Sequence, residues 1–203
     1  MNAVARILLF AVTALASDSS WATCATPSTQ SLLGRDIPGC CKVISQPLIG
    51  TGHGLAWAAV SWNGPVGGKL YVLDCNGSKV ATADSLGYIE RLEEARSIGG
   101  MPTIKVTYIP AAGTGIKLRS IALVQFRARQ LTVLWKHAVL DAAYMPGMGA
   151  NYEEHTSWRF RDGRRRIEAT TLRVSPPHSS HKVTLPAERF CLRTSVWRYV
   201  PCE

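Results

Sequence analysis

From residue 55 onward the apolar residues of this chain fall in short runs, mostly of period two, separated by turn residues. Side chains alternate across a strand, so such runs build half-buried β-strands and leave little room for helix. Leu55-Ala56-Trp57-Ala58-Ala59-Val60-Ser61-Trp62 is apolar on both faces and predicts a central strand. Two further runs, 69–74 and 78–83, flank Cys75-Asn76-Gly77, and Asn-Gly in that setting predicts a hairpin. In 103–109 the residues Ile104, Val106 and Tyr108 share one face. The pattern continues from Ile116 to Phe126 and from Leu131 to Trp135, around Arg127-Ala128-Arg129-Gln130, a turn without glycine.

Trp158 and Phe160 face one way from a strand that meets Asp162-Gly163, a second turn signal. The returning run, 167–174, moves its apolar set from odd to even positions, which predicts a bulge near Thr170. Phe190 to Val200 reads as one continuous last strand, with Phe190, Leu192, Val196 and Val200 inward. A single helix is expected near 86–96, where Ile89, Leu92 and Arg96 stand at helical spacing ahead of Gly99-Gly100. The expected fold is all-β, an antiparallel sandwich or curled β-meander.

At 203 residues, 46% apolar and 18% charged, the chain can bury a core, which excludes a disordered tail, a collagen-like fibre and a coiled coil. Arg6 precedes the apolar run from Ile7 to Ala16. As a helix that run is only about 15 Å long, half a bilayer core, and reads as a signal peptide over 1–22 rather than an anchor. An irregular arm rich in Cys, Pro and Gly follows over 23–52, then a single β-rich domain over 53–203. No integral membrane segment is expected in the mature chain, which would be exported to the periplasm or secreted. Export accounts for the cysteines: Cys24, Cys40, Cys41, Cys75, Cys191 and Cys202 are disulfide candidates. Their spacing contains no paired C-x-x-C knuckle, so zinc is not expected. A continuous strand would hold Cys191 and Cys202 roughly 36 Å apart, too far to bond to each other; only a turn at Arg193-Thr194-Ser195 would let that local bond form.

The charge is +9, concentrated in the C-terminal half. Arg159, Arg161, Arg164, Arg165 and Arg166 cluster around the Asp162-Gly163 turn, with Arg159 and Arg161 opposite the face of Trp158 and Phe160. On the last strand the same alternation turns Arg193, Trp197 and Tyr199 outward. Guanidinium groups beside exposed aromatics fit an acidic protein partner or an anionic envelope polymer. Nucleic acid is not expected, because no nucleic-acid-binding motif accompanies the patch. The serines lie in no G-x-S-x-G, and His178-Ser-Ser-His181 sits in a proline-flanked loop that fixes no metal geometry. No cofactor, metal or catalytic residue is expected.

The succession of a strand, Asp74-Cys75-Asn76-Gly77, Gly99-Gly100-x-Pro102, a strand and Gly113-Thr114-Gly115 resembles a degenerate blade of the FG-GAP or VCBS-type β-propeller repeats. The resemblance covers 69–136 and implies a β-meander; without D-x-D-x-D-G it does not imply calcium. The expected function is a non-catalytic binding module, inhibitor-like or immunity-like, with an envelope hydrolase as the alternative.

Overall fold

The computed structural model describes residues 32, 41–48, 54–62, 67–83, 86–110, 116–144, 151–175 and 180–203. The expected signal peptide, Cys24, Cys40, Gly113 to Gly115 and His178 lie outside the described residues. Four strands form a first antiparallel sheet in sequence order: β1 (Cys41–Pro47), β2 (Ala56–Trp62), β3 (Gly68–Leu73) and β4 (Lys79–Ala83). The second sheet contains β5 (Tyr88–Ile98), β6 (Met101–Ile109), β7 (Ile116–Arg127), β8 (Gln130–Tyr144), β9 (Asn151–Arg161), β10 (Arg166–Val174), β11 (Lys182–Thr184), β12 (Glu188–Arg193) and β13 (Arg198–Pro201). Its order is β13-β12-β10-β9-β8-β7-β6-β5, with β11 also paired to β10.

Three layers result. The first sheet packs on one face of β5–β8 through Trp57, Ala59, Leu70, Val72, Ile89, Ile104, Val106 and Val124. The other face of β5–β8 carries Ile98, Ile121, Leu123, Leu134 and Trp135, which pack against Ile167, Tyr199, Trp158, Phe160 and Phe190 from β9–β13. One sheet can supply both layers because β8 and β9 pair only from Leu140–His155 to Tyr144–Asn151. Beyond that stretch they part, and Trp135 and Trp158 meet across the gap with ring centroids 5.3 Å apart. Register shifts against β7 leave Leu134 and Val139 as extra residues in β8; such bulges bend a strand and increase its twist.

The Asn-Gly hairpin forms where expected. Gly77 has φ 79°, and the Asp74 carboxylate accepts the backbone N–H groups of Asn76 (2.9 Å) and Ser78 (2.8 Å). The glycine-free turn also forms, with Ala128 at φ 49° and Arg129 at φ 61°, the sign that a type I′ turn requires at both centres.

Several expectations are overturned. Residues 88–98 are strand β5, with no helix. The register against β6 jumps between Ile89 and Arg91, so Glu90 is an extra residue. That bulge brings Ile89 and Leu92, three apart, to the same core, and so copies a helical interval inside a strand. Cys41–Pro47, within the segment read as irregular, is a seven-residue strand. β10 pairs with β9 without a shift from Arg166–Arg161 to Val174–Glu153, so no bulge lies near Thr170. Thr171 keeps the buried odd phase because its hydroxyl shares a 2.8 Å hydrogen bond with that of Thr156, its cross-strand partner. The last strand is broken: β12 and β13 form a hairpin around residues 194–197.

The edge of β5 is closed by side chains. Ser61 Oγ accepts from Ile89 N (2.8 Å) and donates to Ile89 O (3.0 Å), and Lys42 Nζ donates to Glu90 O (2.9 Å). Oriented to satisfy both contacts, the Gln46 amide donates to Leu92 O (3.0 Å) and accepts from Glu94 N (3.1 Å). An open row of ladder groups invites edge-to-edge pairing, and these contacts remove that opportunity.

Candidate anion-binding face

Because Phe160, Ile167, Phe190, Leu192 and Tyr199 point inward, alternation turns the neighbouring positions to the outer face of β9–β10–β12–β13. Those positions hold Arg159 and Arg161 on β9, Arg166 and Glu168 on β10, Arg189 and Arg193 on β12, and Arg198 on β13. Around the two hairpin ends six guanidinium groups therefore share this face with three carboxylates, Asp162, Glu168 and Glu203, while a fourth, Glu153, lies toward the other end of β9. Glu168 Oε2 accepts from Arg159 (2.9 Å) and Arg161 (3.0 Å). Arg166 pairs with Asp162 at 3.2 Å, and Arg193 pairs with Glu203. Arg189 and Arg198 are exposed and form no ion pair among the described residues. Arg161, Asp162, Arg166, Glu168 and Arg189 line an open cleft of about 360 Å³. The hydrogen bonds from Arg159 and then Arg161 hold the Glu168 carboxyl below its usual range.

The structure divides the residues singled out in the sequence. Arg159, Arg161, Arg166 and Arg193 are exposed and share one face, and Arg165 is exposed in the adjoining turn. Arg164 is instead a latch. It sits at φ 69°, its guanidinium donates to Ser97 O, and its carbonyl accepts from the Tyr199 hydroxyl. Trp197 and Tyr199 do not face outward. Tyr199 is 6% exposed and packs with Ile167 and Phe160, and burial pushes its hydroxyl up to about 12. Trp197 donates from Nε1 to Gln125 Oε1 and lies under the Arg127 guanidinium at 5.2 Å. The phase inverted because the turn at 194–197 interrupts the run. Val196, expected inside, is 57% exposed.

Arg189 and Arg198 were missed. Stepping the alternation one place back from Phe190 exposes Arg189, whereas Arg198 becomes an outer residue only once the turn is known. The same turn brings Cys191 and Cys202 together. They form a disulfide with Cα atoms 5.1 Å apart, against the expected separation along a single strand. Cys41 and Cys75 are also disulfide-bonded, and no described cysteine is free.

A second cluster lies on the inner face. The His137 ring stands 5.3 Å from Trp135 and 5.7 Å from Phe190, with Glu188 3.8 Å from Nε2. Burial holds His137 below its ordinary range, opposed by the Glu188 charge. Among the described residues no group of three or more His, Cys, Asp or Glu could hold a metal ion. Among the described residues no helix is long and apolar enough to cross a membrane. The fold and face thus define a two-sheet, all-β protein with one arginine-rich surface. No known protein family, curated protein or solved structure matches the chain, and nothing in the described residues of 69–136 identifies a propeller blade.

Proposed function

We propose that this chain is an exported, non-catalytic binding module whose outer arginine face holds an acidic protein partner or an anionic envelope polymer. The observation that carries this reading is the excess of guanidinium groups over carboxylates on one sheet face, with Arg189 and Arg198 lacking counter-ions among the described residues. Arginine offers a planar fork of donors to carboxylate, phosphate or sulfate oxygens, and clustered cations raise the local anion concentration. The two carboxylates of the cleft are taken up in aligning arginines. That favours binding over hydrolysis. The apolar run at the N-terminus supports export, which N-terminal sequencing of the mature protein checks by a start at Thr23. The binding itself is tested on a sulfated matrix. The Arg189→Glu, Arg198→Glu double variant should elute at much lower salt than the parent with little change in stability, because both side chains are exposed. Unchanged elution refutes the reading.

A further inference from the structure

We infer that this face grips a linear polyanion at two points, one at the mouth of each of its two hairpins; the inference rests on the anion-binding reading above. The β9–β10 hairpin is closed by Arg161 directly opposite Arg166, and the β12–β13 hairpin by Arg193 directly opposite Arg198. Like charges directly opposed across a ladder destabilise it. Two adjacent hairpins nevertheless end on such pairs, on the same face. Each pair presents two guanidinium forks to solvent at one strand spacing, an arrangement that an external oxyanion bridges and relieves. The acids nearby do not neutralise all of them: Asp162 pairs with Arg166, Glu168 is shared between Arg161 and Arg159, and Glu203 pairs with Arg193, while Arg198 has no ion pair among the described residues.

The spacing follows from the register. The two pairs lie two strand intervals apart, and Arg193 is two residues beyond Cys191, which stands opposite Arg166. That places the mouths about 12 Å apart, with Arg189 flanking them. A folded acidic protein would need an apolar or aromatic anchor to exclude water at the centre of its contact. Among the described residues this face presents no Trp, Tyr or Phe to serve as one, because Trp197 and Tyr199 are turned into the core. A flexible chain carrying repeated sulfate, phosphate or carboxylate groups needs no anchor and gains affinity by engaging both mouths at once.

The test compares heparin with inorganic sulfate by titration calorimetry at low salt, using the parent, Arg166→Gln, Arg198→Gln and the double variant. Either single substitution should lower heparin affinity about tenfold or more, while the double variant loses only a few-fold further, because one broken mouth already removes two-point binding. Sulfate affinity of the parent should be far weaker than that of heparin. Arg198→Gln relieves a like-charge pair without giving up an ion pair, so its unliganded thermal stability at low salt should hold or rise, whereas Arg166→Gln also loses the pair to Asp162. If the two losses are fully additive, if neither variant changes heparin binding, or if the stability of Arg198→Gln falls, the two-mouth inference is overturned while the anion-binding reading stands. If the parent binds neither heparin nor sulfate, the anion-binding reading fails and the inference with it.

Discussion

The closure of the curled sheet depends on a glycine, and its replacement gives a sharp test. Gly99 turns between β5 and β6 at φ +59°, and an ideal Cβ there would stand 2.6 Å from Trp197 Cη2. Gly100 has φ +77° with nothing within 4 Å of its Cβ position. Both substitutions to Ala meet the left-handed backbone penalty of about 1–2 kcal/mol. Gly99→Ala must also push the Trp197 ring away. That breaks its bond to Gln125, which is fully buried, and leaving such a group unsatisfied costs about 1–3 kcal/mol. The stacked Arg127 guanidinium contributes about 0.5–1 kcal/mol more. Gly99→Ala should therefore destabilise by about 3–5 kcal/mol against about 1–2 kcal/mol for Gly100→Ala. Guanidinium unfolding followed by circular dichroism measures both. A cycle with Trp197→Ala isolates the clash, since without the ring Gly99→Ala should cost no more than Gly100→Ala. Equal costs for the two glycines in the parent background would refute the latch.

Three further outcomes are expected. Thr156→Val or Thr171→Val alone should cost about 1–3 kcal/mol in urea unfolding by orphaning the other hydroxyl, whereas the double substitution should be nearly neutral. Burial lowers the His137 pKa, so the unfolded chain binds the proton more readily. Stability from this residue is present above the unfolded value, near 6.5, and declines as pH falls below it, a slope that His137→Leu should flatten in urea midpoints measured from pH 7.5 down to about 5. Ala128→Asn with Arg129→Gly should stabilise by about 1–2 kcal/mol in thermal unfolding, because Ala128 and Arg129 occupy positive φ without the residues suited to it.

The strands that were legible in sequence are those whose local chemistry agrees with their environment. β2 is apolar on both faces because it has one core on each side, Trp57 and Ala59 toward the second sheet and Ala58 and Val60 toward Leu32. β6 alternates because only Ile104, Val106 and Tyr108 reach the main core. The failures have two physical sources. A bulge adds one residue to a strand, and at Glu90 this converted a two-residue interval into the three-residue interval of a helix. Polar residues can also fill core positions when they bring their own partners, as Thr171 does with Thr156 and Gln125 with Trp197, so hydropathy alone misplaces the phase.

The arginine face was legible only up to the point where the chain turns without glycine. Around Asp162-Gly163 the turn signal was present, and alternation assigned Arg159 and Arg161 correctly to the outside. At Thr194-Ser195-Val196-Trp197 the signal was absent, because the left-handed position is filled by Trp197 at φ 51°. A bulky residue rarely adopts that conformation, and here tertiary contacts hold it: the ring lies against Gly99 and its N–H bonds to Gln125. The disulfide from Cys191 to Cys202 closes the same short hairpin. Strain in the 194–197 turn and the opposed charges of Arg193 and Arg198 are thus held by one cross-link, between Cys191 and Cys202 on the outer face, and one aromatic latch on the inner face. The hairpin mouth can therefore stay cationic: its fold is secured by a disulfide and a buried ring, and its exposed arginines remain available to an anion.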